Sequence, residues 1–196
     1  LLMEIIVHRI NSIKELNILD KNYGVEIDIR AHNSNLILNH EPHSEGENLI
    51  DYLEQYDHGT LVLNIKDSGI EETVIKMVKK FENIKSYFLL DVEFPYLYNA
   101  SMLGEDNIAI RFSEFETIQT VEKFKNKVKW VWIDTFNYLP IKKTDISILK
   151  NFKTCLVCPE RWNRKNEILD YKKRLKSLNI DINAVMTSKS CIAHWL

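Results

Sequence analysis

Two carboxylates interrupt an otherwise apolar run, Gly24-Val25-Glu26-Ile27-Asp28-Ile29. Side chains alternate along a strand, so Glu26, Asp28 and the following Arg30 share one face. Burying an unpaired carboxylate is costly, and two side by side demand a compensating cation. A divalent metal ion is the simplest one, and carboxylate oxygen suits Mg²⁺ or Ca²⁺. The plainer alternative pairs them with Arg30, Lys66 or Arg111. Other polar residues recur at the ends of apolar runs: His8-Arg9, then Asn64 and Lys66, Asp91 and Glu93, Arg111 and Ser113, Trp132 and Asp134, and Thr187-Ser188-Lys189. Such residues line a site if the runs are parallel strands with their C-terminal ends on one side.

The runs that must position them number eight: Glu4–Arg9, Gly24–Ile29, Thr60–Lys66, Ser86–Val92, Asn107–Phe112, Val128–Asp134, Phe152–Cys158 and Ile182–Thr187. Each is short and rich in Val, Ile, Leu or aromatics, as parallel strands buried on both faces are. Between them fall helical stripes: Ile13, Leu16 and Leu19; Ile70, Val74, Met77, Val78 and Phe81; Phe115, Ile118, Val121 and Phe124; and a weaker Ile168, Leu175 and Leu178. Three of these helices are expected to open on Ser-x-x-Glu capping boxes, Ser12/Glu15, Ser68/Glu71 and Ser113/Glu116. Eightfold strand–helix alternation predicts an α/β chain, residues 1–196, forming one small single-domain (β/α)8 TIM barrel, with an open doubly wound sheet as the structural alternative. Leu36-Ile37-Leu38-Asn39-His40 reads as a short extra strand ahead of a helix near Asn48–Tyr56.

Composition narrows the class. The 196 residues are 45% hydrophobic and 28% charged, the balance of a soluble protein with a sizeable core. No apolar run approaches the ~20 residues of a membrane span, and the start lacks a signal-like pattern. Leu1 and Leu2 read either as native residues or as an addition ahead of a natural Met3. Net charge is −2 with Lys and Arg dispersed, which argues against nucleic acid as a partner. Three cysteines suggest a reducing, cytoplasmic setting. Cys155 and Cys158 form a C-x-x-C inside a predicted strand, where their thiols point to opposite faces, an unfavourable geometry for zinc or redox work.

Val7-His8-Arg9, Glu26-Ile27-Asp28-Ile29 and Leu38-Asn39-His40 together resemble the signature of the glycerophosphodiester phosphodiesterase family, a group of phospholipase-C-like barrel enzymes. The resemblance implies a metal-dependent phosphodiester hydrolase with His8 and His40 as the acid/base pair and Glu26 and Asp28 as metal ligands. It also implies that Lys66, ending Leu63-Asn64-Ile65-Lys66, faces the phosphate. The chain departs from the pattern as a variant branch would. The family's His-Arg-Gly is His8-Arg9-Ile10, its His-Asp is His40-Glu41, and its third metal carboxylate is Asn64, with Asp91 as a substitute for the missing charge.

On this reading a divalent ion on Glu26, Asp28 and a third oxygen ligand neutralises a small glycerophosphodiester-like substrate of lipid metabolism. Arg9, Lys66 and Arg111 bind its phosphate, and Trp132 packs on its sugar or glycerol face or fills the barrel mouth. One histidine accepts the nucleophile's proton and the other donates to the leaving oxygen. The nucleophile is water or a neighbouring substrate hydroxyl. Trp130 is expected in the core, His32, His43 and His58 in solvated loops, and His194 in the tail beside Trp195. Arg111 and Asp134 are expected either to pair or to line the site. The rivals are a catalytically weakened barrel that binds a phosphorylated ligand, motivated by Asn64 and Ile10, an enzyme of phospholipid head groups, and a barrel of unrelated chemistry.

Overall fold

All eight apolar runs form strands in the computed structural model, which describes residues 3–196. Leu1 and Leu2, whose origin is left open above, lie outside the described residues. The chain divides into two units, Ile6–Tyr96 and Leu97–Leu196, the second including the described residues up to Ile5.

The first unit holds the end of β1 (Glu4–Val7), then α1 (Ile13–Asn17), β2 (Gly24–His32), β3 (Asn35–Leu38), β4 (Glu47–Asn48), α2 (Leu49–Glu54), β5 (Leu61–Ile65), α3 (Glu71–Val78) and β6 (Tyr87–Leu90). β2 runs parallel to β1 and to β5, and β5 parallel to β6. Val25, Ile27 and Ile29 alternate with Glu26 and Asp28, and all five are buried. The ladder sets Glu26 beside Val62 and Asp28 beside Asn64. The extra strand is β3, which folds back antiparallel on the far end of β2 and is followed antiparallel by β4. It stops at Leu38, so His40 lies in the turn beyond the strand and does not end it.

The second unit contains most of α4 (Phe94–Met102), then β7 (Ala109–Phe112), α5 (Ile118–Lys123), β8 (Trp130–Ile133), α6 (Ile146–Leu149), β9 (Lys153–Val157), α7 (Ile168–Leu178) and β10 (Ala184–Thr187). β7 to β10 are parallel in chain order, with Arg111 beside Trp132 and Trp132 beside Cys155. Trp130, Trp132, Cys155 and Cys158 are all core residues.

Among the described residues β6 pairs only with β5, and β7 only with β8. Each unit's parallel sheet therefore keeps an open edge, and the fold is a mixed α/β fold with an open sheet.

Of the three serines expected to open capping boxes, Ser12 alone caps its helix. Ser12 Oγ accepts the Glu15 N–H and donates to its carboxylate. Ser68 Oγ donates instead to Glu93, and α3 starts after Ile70 without a side-chain cap. Ser113 and Glu116 close a local turn, but Thr117 caps α5, which leaves Phe115 exposed ahead of the helix. No helix of the described residues is long and apolar enough to cross a membrane.

Candidate active site

The first unit gathers His8, Arg9, Glu26, Asp28, Asn64, Lys66 and Asp91 around two buried carboxylates. Glu26 Oε2 accepts the Arg9 backbone N–H at 2.9 Å, and His8 Nε2 lies 3.9 Å from the same oxygen. Glu26 Oε1 accepts Asn64 Nδ2 at 2.7 Å. Asp28 Oδ1 lies 3.2 Å from Lys66 Nζ, and Asp28 Oδ2 lies 3.6 Å from Arg9 Nε. Lys66 Nζ is also 3.9 Å from Asp91 Oδ2, so its ammonium stands between two carboxylates. Burial first, and the Asp28 charge second, push the Glu26 carboxyl up to about 7, against the pull of Asn64, the Arg9 N–H and Lys66.

The turn after β1 produces this arrangement. Arg9 has a φ of +53°, and it alone among the non-glycine residues with positive φ is not Asn, Asp or His. That conformation is costly for a long side chain. Here it aims the Arg9 N–H at the Glu26 carboxylate while the Ile10 N–H donates to the Glu26 carbonyl at 3.0 Å. Ile10, where the resembled family has glycine, is buried and accepts the buried Tyr52 hydroxyl at 2.8 Å. An apolar anchor and one hydrogen bond thus hold the turn.

Asn11 is a site residue that the sequence did not reveal. Its Nδ2 donates to Asp28 Oδ2 and its Oδ1 accepts the Asp28 N–H, both at 2.9 Å. Nothing marks it in the sequence beyond its place after Ile10. Because its loss leaves buried Asp28 groups short of partners, Asn11→Ala should cost about 1–3 kcal/mol in a denaturant titration. A change below about 0.5 kcal/mol would mean that water replaces the clamp without penalty.

His40 enters through its neighbours. The Asn39 N–H donates to the Asp28 carbonyl at 3.1 Å, and His40 Nδ1 lies 2.6 Å from Glu41 Oε1. That hydrogen bond with His40 is the main reason the Glu41 carboxyl is held below the usual range. Arg30 does not pair with Glu26 or Asp28. Its guanidinium meets Asp67 Oδ1 at 2.6 Å and donates to the His40 carbonyl. Of the cations named as alternatives to a metal, Lys66 is the one on Asp28. Of the three histidines expected in solvated loops, His32 instead ends β2, paired with Asn35, and His58 is partly buried, with Nε2 3.3 Å from the Leu19 carbonyl and its ring against Tyr56.

Arg111 and Trp132 belong to the second unit. Arg111 donates to Asp134 Oδ2 at 2.6 Å and to Glu116 Oε1 at 3.1 Å, and lies over the Phe136 ring. Trp162 Nε1 and the Thr135 N–H complete the coordination of Asp134. Trp132 is 3% exposed.

The donor set in the first unit fits a hard divalent cation. Asn64 Oδ1 is buried without a hydrogen-bond partner. The structure points Nδ2 at Glu26; with the amide turned over, Oδ1 would join the two carboxylates as a third oxygen ligand. No cluster of three His, Cys, Asp or Glu side chains suited to a metal occurs among the described residues.

No protein-family model matches the chain, and no curated protein matches it. Among solved structures it is similar to a glycerophosphodiester phosphodiesterase from Agrobacterium tumefaciens, at 9% identity over 94% of this chain and 96% of that one, with a TM-score of 0.65. A second Agrobacterium tumefaciens structure, a candidate glycerophosphoryl diester phosphodiesterase, gives 10% identity, 99% and 97% coverage and 0.67. A candidate glycerophosphodiester phosphodiesterase from Galdieria sulphuraria gives 14%, 94% and 93%, and 0.64. At these identities the likeness establishes the fold.

Proposed function

We propose that the chain is a divergent, metal-dependent phosphodiester hydrolase of the glycerophosphodiester phosphodiesterase kind. The observation that carries this reading is the buried Glu26–Asp28 pair, with His8, Arg9, Asn64 and Lys66 converging on it. The shared fold supports it, and we take the eight parallel strands to belong to one (β/α)8 barrel in a cytoplasmic protein. Glu26, Asp28 and Asn64 Oδ1 would hold Mg²⁺ or Ca²⁺, with Asp91 the next carboxylate beyond Lys66. Bound there, the ion would neutralise phosphate oxygen and favour an ionised nucleophile.

The chain's own groups do the rest. Lys66 and Arg9 offer positive charge to the phosphate, Lys66 by leaving Asp28 and Arg9 by its exposed fork. With Glu41 ionised, His40 Nδ1 holds its proton towards Glu41, which leaves Nε2 to accept the proton of the attacking hydroxyl. The His8 imidazole, beside the Glu26 carboxylate, donates to the leaving oxygen.

A panel of glycerophosphodiesters, with EDTA or with added Mg²⁺, Mn²⁺ or Ca²⁺, tests this directly. Hydrolysis that EDTA abolishes and a metal restores is expected, and hydrolysis indifferent to both would refute the metal. Asn64→Asp restores a third carboxylate and should tighten Mg²⁺ or Ca²⁺ binding by about tenfold or more in calorimetry. Unchanged affinity would place the ion elsewhere.

One observation favours the second reading, a weakened barrel that binds a phosphorylated ligand. Every oxygen of Glu26 and Asp28 already has a protein donor or cation within 3.2 Å. Ligand binding without turnover, unaffected by EDTA, would select it.

A further inference from the structure

Arg30 follows Asp28 on the same face of β2, and its side chain is 16% exposed. It makes no hydrogen bond or ion pair with Glu26 or Asp28; its donors go to the backbone of two other site residues and to Asp67. Nε and Nη2 both donate to the His40 carbonyl, at 3.1 and 2.9 Å. Nη1 donates to the Lys66 carbonyl at 3.3 Å and to Asp67 Oδ1 at 2.6 Å. Asp67 in turn accepts the Ala31 N–H at 2.9 Å through its other oxygen. One planar fork therefore joins three segments: the far half of β2, the turn beyond β3 that carries His40, and the end of β5 that carries Lys66.

We propose that Arg30 is a positioning residue, whose guanidinium spans the His40 and Lys66 carbonyls and so sets the spacing between the acid/base imidazole and the phosphate-facing ammonium. His40 needs such a support because it lies outside any strand, in a turn without ladder hydrogen bonds of its own. Lys66 is the first residue past β5, its N–H still bonded to the Ile29 carbonyl at 3.0 Å, and Arg30 holds its carbonyl. A fork with donors fixed in one plane can hold two carbonyls in a set relation, whereas an ammonium is a point donor on a flexible stem. Asp67 supplies the charge that keeps the fork in place.

The inference rests on the roles given to His40 and Lys66 above, and its test separates the two. Arg30→Ala and Arg30→Lys are compared with wild type, with Asp67→Asn as a milder disturbance that keeps the guanidinium. Four quantities are read: kcat, KM, metal affinity by calorimetry, and the His8 and His40 imidazole resonances. Misplacement of a reacting group by about 1 Å can cost about 10²-fold in rate. Arg30→Ala should therefore lose roughly 10- to 100-fold in kcat. Arg30→Lys should recover only part of that, and Asp67→Asn should fall between Arg30→Lys and wild type. Metal affinity should stay within about twofold, because Arg30 makes no hydrogen bond or ion pair with the proposed ligands. The His40 resonance should shift or broaden while that of His8 stays fixed. If the folded variants keep wild-type kcat with only a lowered Tm, Arg30 is merely structural and the proposal is overturned. If metal affinity falls in step with kcat, Arg30 acts through the metal ligands, which also overturns it. Should wild type itself prove inactive on every phosphodiester, the functional reading fails. The imidazole resonances then still decide whether Arg30 orders His40, and an unmoved His40 signal in Arg30→Ala refutes that.

Discussion

Replacing His40 or His8 by alanine is expected to lower kcat by about 10²–10⁴ each, the range for a positioned general acid or base. In the proposed mechanism His40 is the base. Its Nδ1 is 2.6 Å from Glu41 Oε1, and its carbonyl is held by Arg30. The same hydrogen bond keeps Glu41 a carboxylate near neutrality. His8, with Nε2 3.9 Å from Glu26 Oε2, is the other imidazole at the site and in the proposed mechanism donates a proton to the leaving alkoxide oxygen. The two must start in different protonation states, so kcat/KM should be bell-shaped in pH. A substrate with a strongly acidic leaving group needs no protonation. It should restore His8→Ala and leave His40→Ala slow. Equal rescue of both, or of neither, would reject this division of labour. The double variant should lose less than the product of the single losses, because groups that act as a unit are not additive.

The strands were legible because parallel strands buried on both faces need continuous apolar runs, and eight such runs were there to be read. Glu26 and Asp28 stood out for the same reason, as carboxylates where burial forbids them without a partner. What escaped notice depends on contacts between distant segments. Ser68 has the spacing of a capping box, yet Glu93 takes its hydroxyl. Helix α4 begins on Phe94-Pro95, with an aromatic run that follows no clean stripe. Asn11 and Arg30 are ordinary polar residues until the chain folds Asp28 against the first and His40 against the second. Local pattern likewise gave no reason to choose Lys66 over Arg30 as the partner of Asp28. That choice turns on Asp67, one residue past Lys66, which claims the guanidinium.

Glu26→Gln should make the metal-free protein more stable than wild type at pH 8, while removing stabilisation by metal. The wild-type carboxyl is raised to about 7 in the folded chain, chiefly by burial and then by Asp28. The unfolded carboxyl titrates near its ordinary value of about 4.3. Between these values the folded state holds a proton that the unfolded state has released, so stability falls as pH rises. The contribution is intact below about pH 4.3 and lost above about pH 7, a loss of roughly 4 kcal/mol. Glutamine copies the neutral acid at every pH and escapes that loss. Its carbonyl can still accept the Arg9 N–H, and its amide can donate to Asn64 Oδ1, buried without a partner, once the Asn64 amide turns. In EDTA the stability of wild type minus variant should therefore decline from pH 5 to pH 7 and then level off. With Mg²⁺ or Ca²⁺ above about a thousand times Kd the order should reverse, because the ion then stabilises a folded chain that binds it by about 4.1 kcal/mol or more. The variant, short of a carboxylate ligand, should gain far less and should lose metal-dependent activity. Asp28→Asn should also lose that activity, but without the gain at pH 8, because it leaves Lys66 and Arg9 facing a neutral amide. Parallel pH–stability curves for wild type and Glu26→Gln in EDTA would mean that Glu26 is not a strained, proton-holding carboxyl. Full metal-dependent activity in Glu26→Gln would mean that it is not a ligand.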